Sequence, residues 1–142
     1  MDNNIDVLDE LNKGCSMGIE ALDIILKKVD NTEFHDFLVE FNDEYIELSD
    51  EIKNIYQDYS SEELHEVNMM EKIMTWYGVE KDTILDNSIS NLADLLINGT
   101  NMGIIEGRKL LNNKKMDKKI HKICEKYIRV QEKYVEKLKS YL

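Results

Sequence analysis

Three histidines, His35, His65 and His121, are the residues of this 142-residue sequence best suited to ligate a metal or relay a proton. A carboxylate-bridged two-metal centre in a helical bundle needs a Glu on each of two helices and Glu-x-x-His on each of the other two. Four carboxylates and two imidazoles must converge between the helices. Thr32 stands three residues before His35, and Lys118 three before His121, so neither has that spacing. Glu62 and His65 have it, but they fall in a connecting segment rather than a long helix. His35 and His121 each lie one residue past an apolar seam position near a helix start, which reads as a half-exposed helix end. A phosphorelay histidine sits exposed in mid-helix, usually before Lys-Gly, and none of the three has that setting.

Glu106 is the exception among the carboxylates, because heptad spacing puts it on an apolar seam between Gly103 and Leu110. A carboxylate taken out of water must be paired, protonated or metal-bound. Its expected partners are Gln131, Tyr127 or Arg129, and the alternative is a metal ligand, with Glu44 as the second carboxylate. Cys15 and Cys124 have neither CxxC nor zinc-ligand spacing and read as small buried hydrophobes. The sequence holds no Gly-rich phosphate loop and no nucleophile elbow.

The elements that would position these groups are helices. With no proline and six glycines, the composition favours long uninterrupted helices. Leu8, Leu11, Cys15, Gly18, Leu22, Ile25 and Val29 alternate steps of three and four, with Ile5, Ile19 and Leu26 widening the stripe. Asp30 to Glu33 has capping-box spacing. A second seam follows in Phe34, Leu38, Phe41, Tyr45, Leu48, Ile52, Ile55 and Tyr59, and the short link makes an antiparallel hairpin over 4–59. Ser60-Ser61-Glu62-Glu63 opens a shorter helix carrying Leu64, Val67, Met70, Ile73 and Trp76, which Gly78 ends as a left-handed C′ residue. Met69, Met70, Met74, Trp76 and Tyr77 form either a soft docking surface or a closure for the bundle end. The last hairpin, 82–142, has seams Leu85, Ile89, Leu92, Leu96, Gly99, Gly103, Glu106, Leu110 and then Ile120, Cys124, Tyr127, Tyr134, Leu138, Tyr141. The segment 60–81 contains a helix of about 17 residues, about 25 Å at 1.5 Å per residue, enough to cross most of the bundle. The chain reads as a single all-α domain over 1–142, an antiparallel four-helix bundle with one crossover; the alternative is that the short helix folds back as a lid at one end.

Leu11-Asn12-Lys13-Gly14-Cys15-Ser16-Met17-Gly18-Ile19 matches Leu96-Ile97-Asn98-Gly99-Thr100-Asn101-Met102-Gly103-Ile104 at an offset of 85, which makes the two hairpins an internal repeat. Five glycines lie in or beside these copies: Gly14, Gly18, Gly99, Gly103 and Gly107. Each costs about 1 kcal/mol relative to alanine inside a helix, so they need a structural reason. Their spacing of four predicts a close crossing of the first and third long helices, and the functional alternative is room for a ligand or cofactor beside that crossing.

Net charge is −11, against nucleic acid as a partner, since phosphate binding needs clustered Lys and Arg. Residues 1–107 carry 6 basic and 25 acidic side chains, whereas 108–142 carry 12 and 4. The basic last helix is expected to offset its acidic neighbours, and the alternative is a partner-docking face on that helix. No apolar run approaches the roughly 20 residues of a membrane span. The acidic, polar opening predicts no signal peptide, and the cytoplasm is the expected location.

On the Leu-Asn-Lys-Gly…Met-Gly-Ile stretch, Trp76-Tyr77-Gly78-Val79 and the block from Asp86 to Leu111, the chain resembles small ferritin-like four-helix proteins of anaerobic, spore-forming bacteria. That resemblance implies a ferritin-like fold and carries no assigned activity. The expected function is a non-catalytic interaction or structural module without cofactor, working as a homodimer or with a protein partner. The alternative is an unusual metal-binding bundle holding Fe, Mn or Zn on carboxylates near Glu106.

Overall fold

The computed structural model describes residues 3–61, 70–78 and 84–142. Five helices account for most of them: α1 (Asn4–Leu26), α2 (Thr32–Tyr56), α3 (Met70–Tyr77), α4 (Ile89–Asn113) and α5 (Lys118–Lys139). There is no strand among the described residues. No helix there is long and apolar enough to cross a membrane.

The heptad stripes become the core. Leu8, Leu11, Cys15, Leu22 and Ile25 of α1 are buried, as are Phe34, Leu38, Phe41, Tyr45, Leu48 and Ile52 of α2. Ile120, Cys124, Tyr127, Tyr134 and Leu138 of α5 join them, with Gln131 at 1% exposure as the polar member of that stripe. Leu92 and Leu96 bring α4 into the same core. Ile5, expected to widen the α1 stripe, lies outside it at 39% exposure, in the first turn of its helix.

Helix ends follow local polar chemistry more closely than apolar spacing. The N-cap of α2 is Asn31, whose Oδ1 accepts from the Phe34 N–H at 2.9 Å, in place of an Asp30 capping box. The seam would start α4 near Asp82, yet the helix starts at Ile89, capped by Ser88. Asp86 accepts from the Ser88 N–H at 2.9 Å, and Asn91 Nδ2 donates back to the Asp86 carbonyl at 2.8 Å. Such side-chain bonds offer the backbone an alternative to another helical turn. Leu85 is thereby left outside the helix and 94% exposed. Gly78 does end α3 in the left-handed region, at φ +67°, with its N–H on the Met74 carbonyl at 2.9 Å. The proposed cap at Glu62 and Glu63, the Glu62/His65 pair, and Leu64, Val67 and Met69 lie outside the described residues.

Three hydrogen bonds gather one end of the molecule. Asn3 N–H donates to the Lys115 carbonyl, Asp117 N–H to Asn4 Oδ1 and Tyr59 OH to Asp117 Oδ2, each at 2.8 Å. The start of α1, the end of α2 and the turn between α4 and α5 therefore meet there. Along the α2–α5 seam, Lys119 pairs with Asp58, Lys126 with Glu51 at 2.5 Å, Lys133 with Glu44 at 2.8 Å and Lys137 with Glu40 at 3.9 Å. Every step forward on α5 is matched by an equal step back along α2. Lys133 and Lys137 also lie over the Tyr134 ring, 4.8 and 5.3 Å from its centroid. This ladder is where the basic helix offsets its acidic neighbour. Single surface pairs contribute only about 0.2–1 kcal/mol, so the ladder sets register more than it supplies stability.

Glu44 gives the ladder a pH signature. Burial opposes ionisation, but Lys133, with Tyr134 and Lys137, outweighs it and holds the carboxyl below its ordinary 4.5. A pKa lowered by folding contributes stability above the unfolded value, lost as pH falls through the folded value. Denaturant melts at about pH 6 and about pH 3 should show wild type losing more stability on acidification than Glu44→Gln. Equal losses would contradict a net-favourable Glu44 pair.

Candidate functional site

The centre of the bundle is built from residues that could not be more different in size. The five inward glycines lie on α1 and α4, and bulky side chains of α2, α3 and α5 fill the room they leave. A Cβ on Gly14 would collide with the Tyr127 hydroxyl, and one on Gly18 would lie 2.5 Å from a Tyr45 ring carbon. At Gly99 it would enter the Tyr77 ring, at Gly103 it would meet Gln131 Oε1, and at Gly107 Ile128 Cγ1 at 2.8 Å. The spacing of four predicted inward glycines, and inward they are. The close approach they permit is to side chains, tyrosine above all, with those atoms nearest the missing Cβ positions.

A small polar network runs through this packing. Tyr45 OH donates to Gln131 Oε1 at 3.0 Å, and Gln131 Nε2 donates to the Tyr127 carbonyl at 3.2 Å. Tyr45, Tyr77 and Tyr127 are all within 3% of complete burial. Burial lifts Tyr45 and Tyr127 well above the ordinary 10.0. It pushes Tyr77 up to about 12, against the hydroxyls of Tyr45 and Thr100, which favour ionisation. The Cys15 thiol, fully buried beside them, is also raised. Burial takes Cys124 up to about 11, and its Sγ lies 3.6 Å from the Gly107 carbonyl. Both cysteines are free and buried, matching their reading as small hydrophobes. Phenols and thiols held in their neutral forms are poor bases and poor nucleophiles near neutral pH. What the network does well is fix one packing of five helices.

The carboxylates singled out by spacing do not enter this centre. Glu106 does not occupy the buried seam position. Its side chain is 45% exposed and 3.6 Å from Lys109, while Gly107 takes the inward place. A straight α-helix advances 3.6 residues per turn, so a 3.5-residue seam drifts by about 20° per heptad. From Gly103 the stripe moves on by four. Gln131, expected as a partner of Glu106, bonds Tyr45 instead. Glu106 opens into a surface groove with Asp6, Asp9 and Glu10 of α1, interleaved with Lys13, Lys109 and Lys114. Burial, and then the charges of Asp6 and Glu10, raise Asp9, while Lys13 lowers it. Glu44 lies apart on the α2–α5 ladder, 31% exposed. Thus the structure does not bring the two carboxylates together. His35 and His121 are 45% and 50% exposed, the latter 2.8 Å from Glu125. No group of three His, Cys, Asp or Glu side chains among the described residues is placed to hold a metal ion.

Tyr77 was the residue least visible in the sequence. The group Met69, Met70, Met74, Trp76 and Tyr77 reads equally as a docking surface or as a closure of the bundle end; Tyr77 is 3% exposed whereas Met74 is 42% exposed. The available signal was the surplus of glycine opposite too few large residues on the long helices.

Because the fold favours the protonated phenols, their contribution to stability holds below pH 10.0 and is lost as pH rises toward their folded values. In an alkaline titration, tyrosinate absorbance from these three should grow only as the helical circular dichroism signal is lost. Full ionisation of all seven tyrosines with helicity intact would contradict the buried network.

No protein-family model, curated protein or solved structure matches the chain, so its function has to be argued from this arrangement of residues.

Proposed function

We propose that the chain is an antiparallel four-helix bundle of ferritin-like connectivity that serves as a non-catalytic protein-interaction module. The observation that carries this reading is the occupancy of the centre. Where a two-metal bundle turns carboxylates and imidazoles inward, this one turns glycine, tyrosine, glutamine and cysteine inward, while Glu106 opens onto a surface groove and Glu44 pairs with Lys133 in the α2–α5 seam.

Connectivity is supported by the end at which α2 and α4 both finish while α1 and α5 both begin. Parallel second and third bundle helices need one long crossover, the role assigned to 60–81. The internal repeat is supported by the equivalent pairs Gly14/Gly99 and Gly18/Gly103, each of which leaves room for a side chain from a neighbouring helix. Two free, buried thiols suit a reducing cytoplasm. Net charge of −11 argues for protein rather than nucleic acid as the partner, whether a second copy or another chain.

A metal-binding reading draws on the acidic groove around Glu106 with Asp6, Asp9 and Glu10, but Lys13, Lys109 and Lys114 share that groove and offset most of its charge. The deciding experiment is elemental analysis of the purified protein after incubation with Fe(II), Mn(II) and Zn(II) and gel filtration. The interaction reading predicts no stoichiometric metal. Metal at a fixed ratio, lost on Glu106→Gln, would overturn it.

A further inference from the structure

We infer that the outward face shared by α1 and α2 docks a cationic amphipathic helix presented by a partner protein, an inference that rests on the interaction reading above. The face has a groove floored by Ser16, Ile19, Ile46 and Ser49 and walled by Glu20 and Asp50. Ile46 is 42% exposed and Val39, two helical turns before it on the same line of α2, is 37% exposed. Apolar side chains left in water along one flank of a helix are what a second helix would cover.

Charge identifies the occupant. The acids of α2 that face α5 are consumed by the ladder of lysines. On the other side of α2, Asp43 and Asp50, together with Glu20 and Asp23 of the neighbouring α1, make no ion pair among the described residues. Lys53, at one end of the groove, is the cation among its lining residues. Four uncompensated carboxylates therefore stand on the same two helices as the exposed isoleucine and valine. An anionic membrane or a nucleic acid would be repelled there. A helix with apolar residues at i, i+3, i+4 and i+7, flanked by Lys and Arg, matches both the groove and its rim.

The test uses the full chain, isotopically labelled, titrated with a synthetic leucine–lysine peptide whose leucines follow that helical spacing. A scrambled isomer of identical composition controls for charge alone. The amphipathic peptide should bind about tenfold more tightly than its isomer. Amide shifts should centre on Ser16, Ile19, Ile46 and Ser49. Ile46→Ser and Asp50→Lys should each weaken binding, whereas Glu132→Lys, the same charge change on α5, should have little effect. These positions are on the surface, and circular dichroism would verify that each variant keeps its helices. Equal affinity for the two isomers, shifts mapping to α5, or full affinity in Ile46→Ser would overturn the assignment of this face. A metal-free protein that fails the peptide test loses this face but keeps the interaction reading; stoichiometric metal removes the reading beneath it.

Discussion

A tyrosine ring laid against a helix needs that helix to give up its Cβ. At the centre of this bundle the exchange is made repeatedly: Tyr127 against Gly14, Tyr45 against Gly18 and Tyr77 against Gly99. Each glycine sacrifices about 1 kcal/mol of helix propensity, and each buried ring returns more than that in removed apolar surface and dispersion. The rings also carry hydroxyls into the core, and Gln131 serves as a shared partner, accepting from Tyr45 and donating to the Tyr127 backbone. Because Tyr45, Tyr77 and Tyr127 come from three different helices, this one packing arrangement ties α2, α3 and α5 to the glycine faces of α1 and α4.

A centre filled in this way leaves function to the outside of the bundle. There the lysines of α5 bind the acids of α2 and fix the register of that seam, while an acidic flank with exposed Val39 and Ile46 is left over on the other side. One flank of α2 is thus tied to α5, and the other is the face proposed to receive a partner. Aromatic packing closes the far end of the ladder, where Tyr141 stacks on Phe37 at a centroid distance of 5.1 Å and lies tilted against Phe34 at 4.8 Å.

Apolar spacing revealed the long helices and the central line of their buried faces, because burial on a helix is periodic, but it left out flanking residues that are buried too, among them Val7, Met17, Ala93, Ile123 and Ile128. It misplaced what periodicity does not control. Asn31 rather than Asp30 caps α2, and Asp86 with Ser88 delays α4 to Ile89, since short polar side chains compete locally for backbone N–H groups. Glu106 was put on the seam because a strict heptad was carried past the point where a 3.6-residue helix keeps to it. The glycine faces were evident, but their occupants were not. Which ring enters which gap depends on contacts between residues far apart in the chain, such as Gly99 with Tyr77 across two helices.

The central claim is that the inward glycines exist to admit tyrosine rings, and a double-mutant cycle of Gly99→Ala with Tyr77→Ala, followed by urea denaturation, tests it most directly. In the wild-type background Gly99→Ala should destabilise, because the new methyl enters the Tyr77 ring. In the Tyr77→Ala background the ring is gone, and the same change should stabilise by about 1 kcal/mol through helix propensity alone. A reversal of sign is the predicted result. An equal destabilisation in both backgrounds would contradict the account and return the glycine to a contact with the facing backbone.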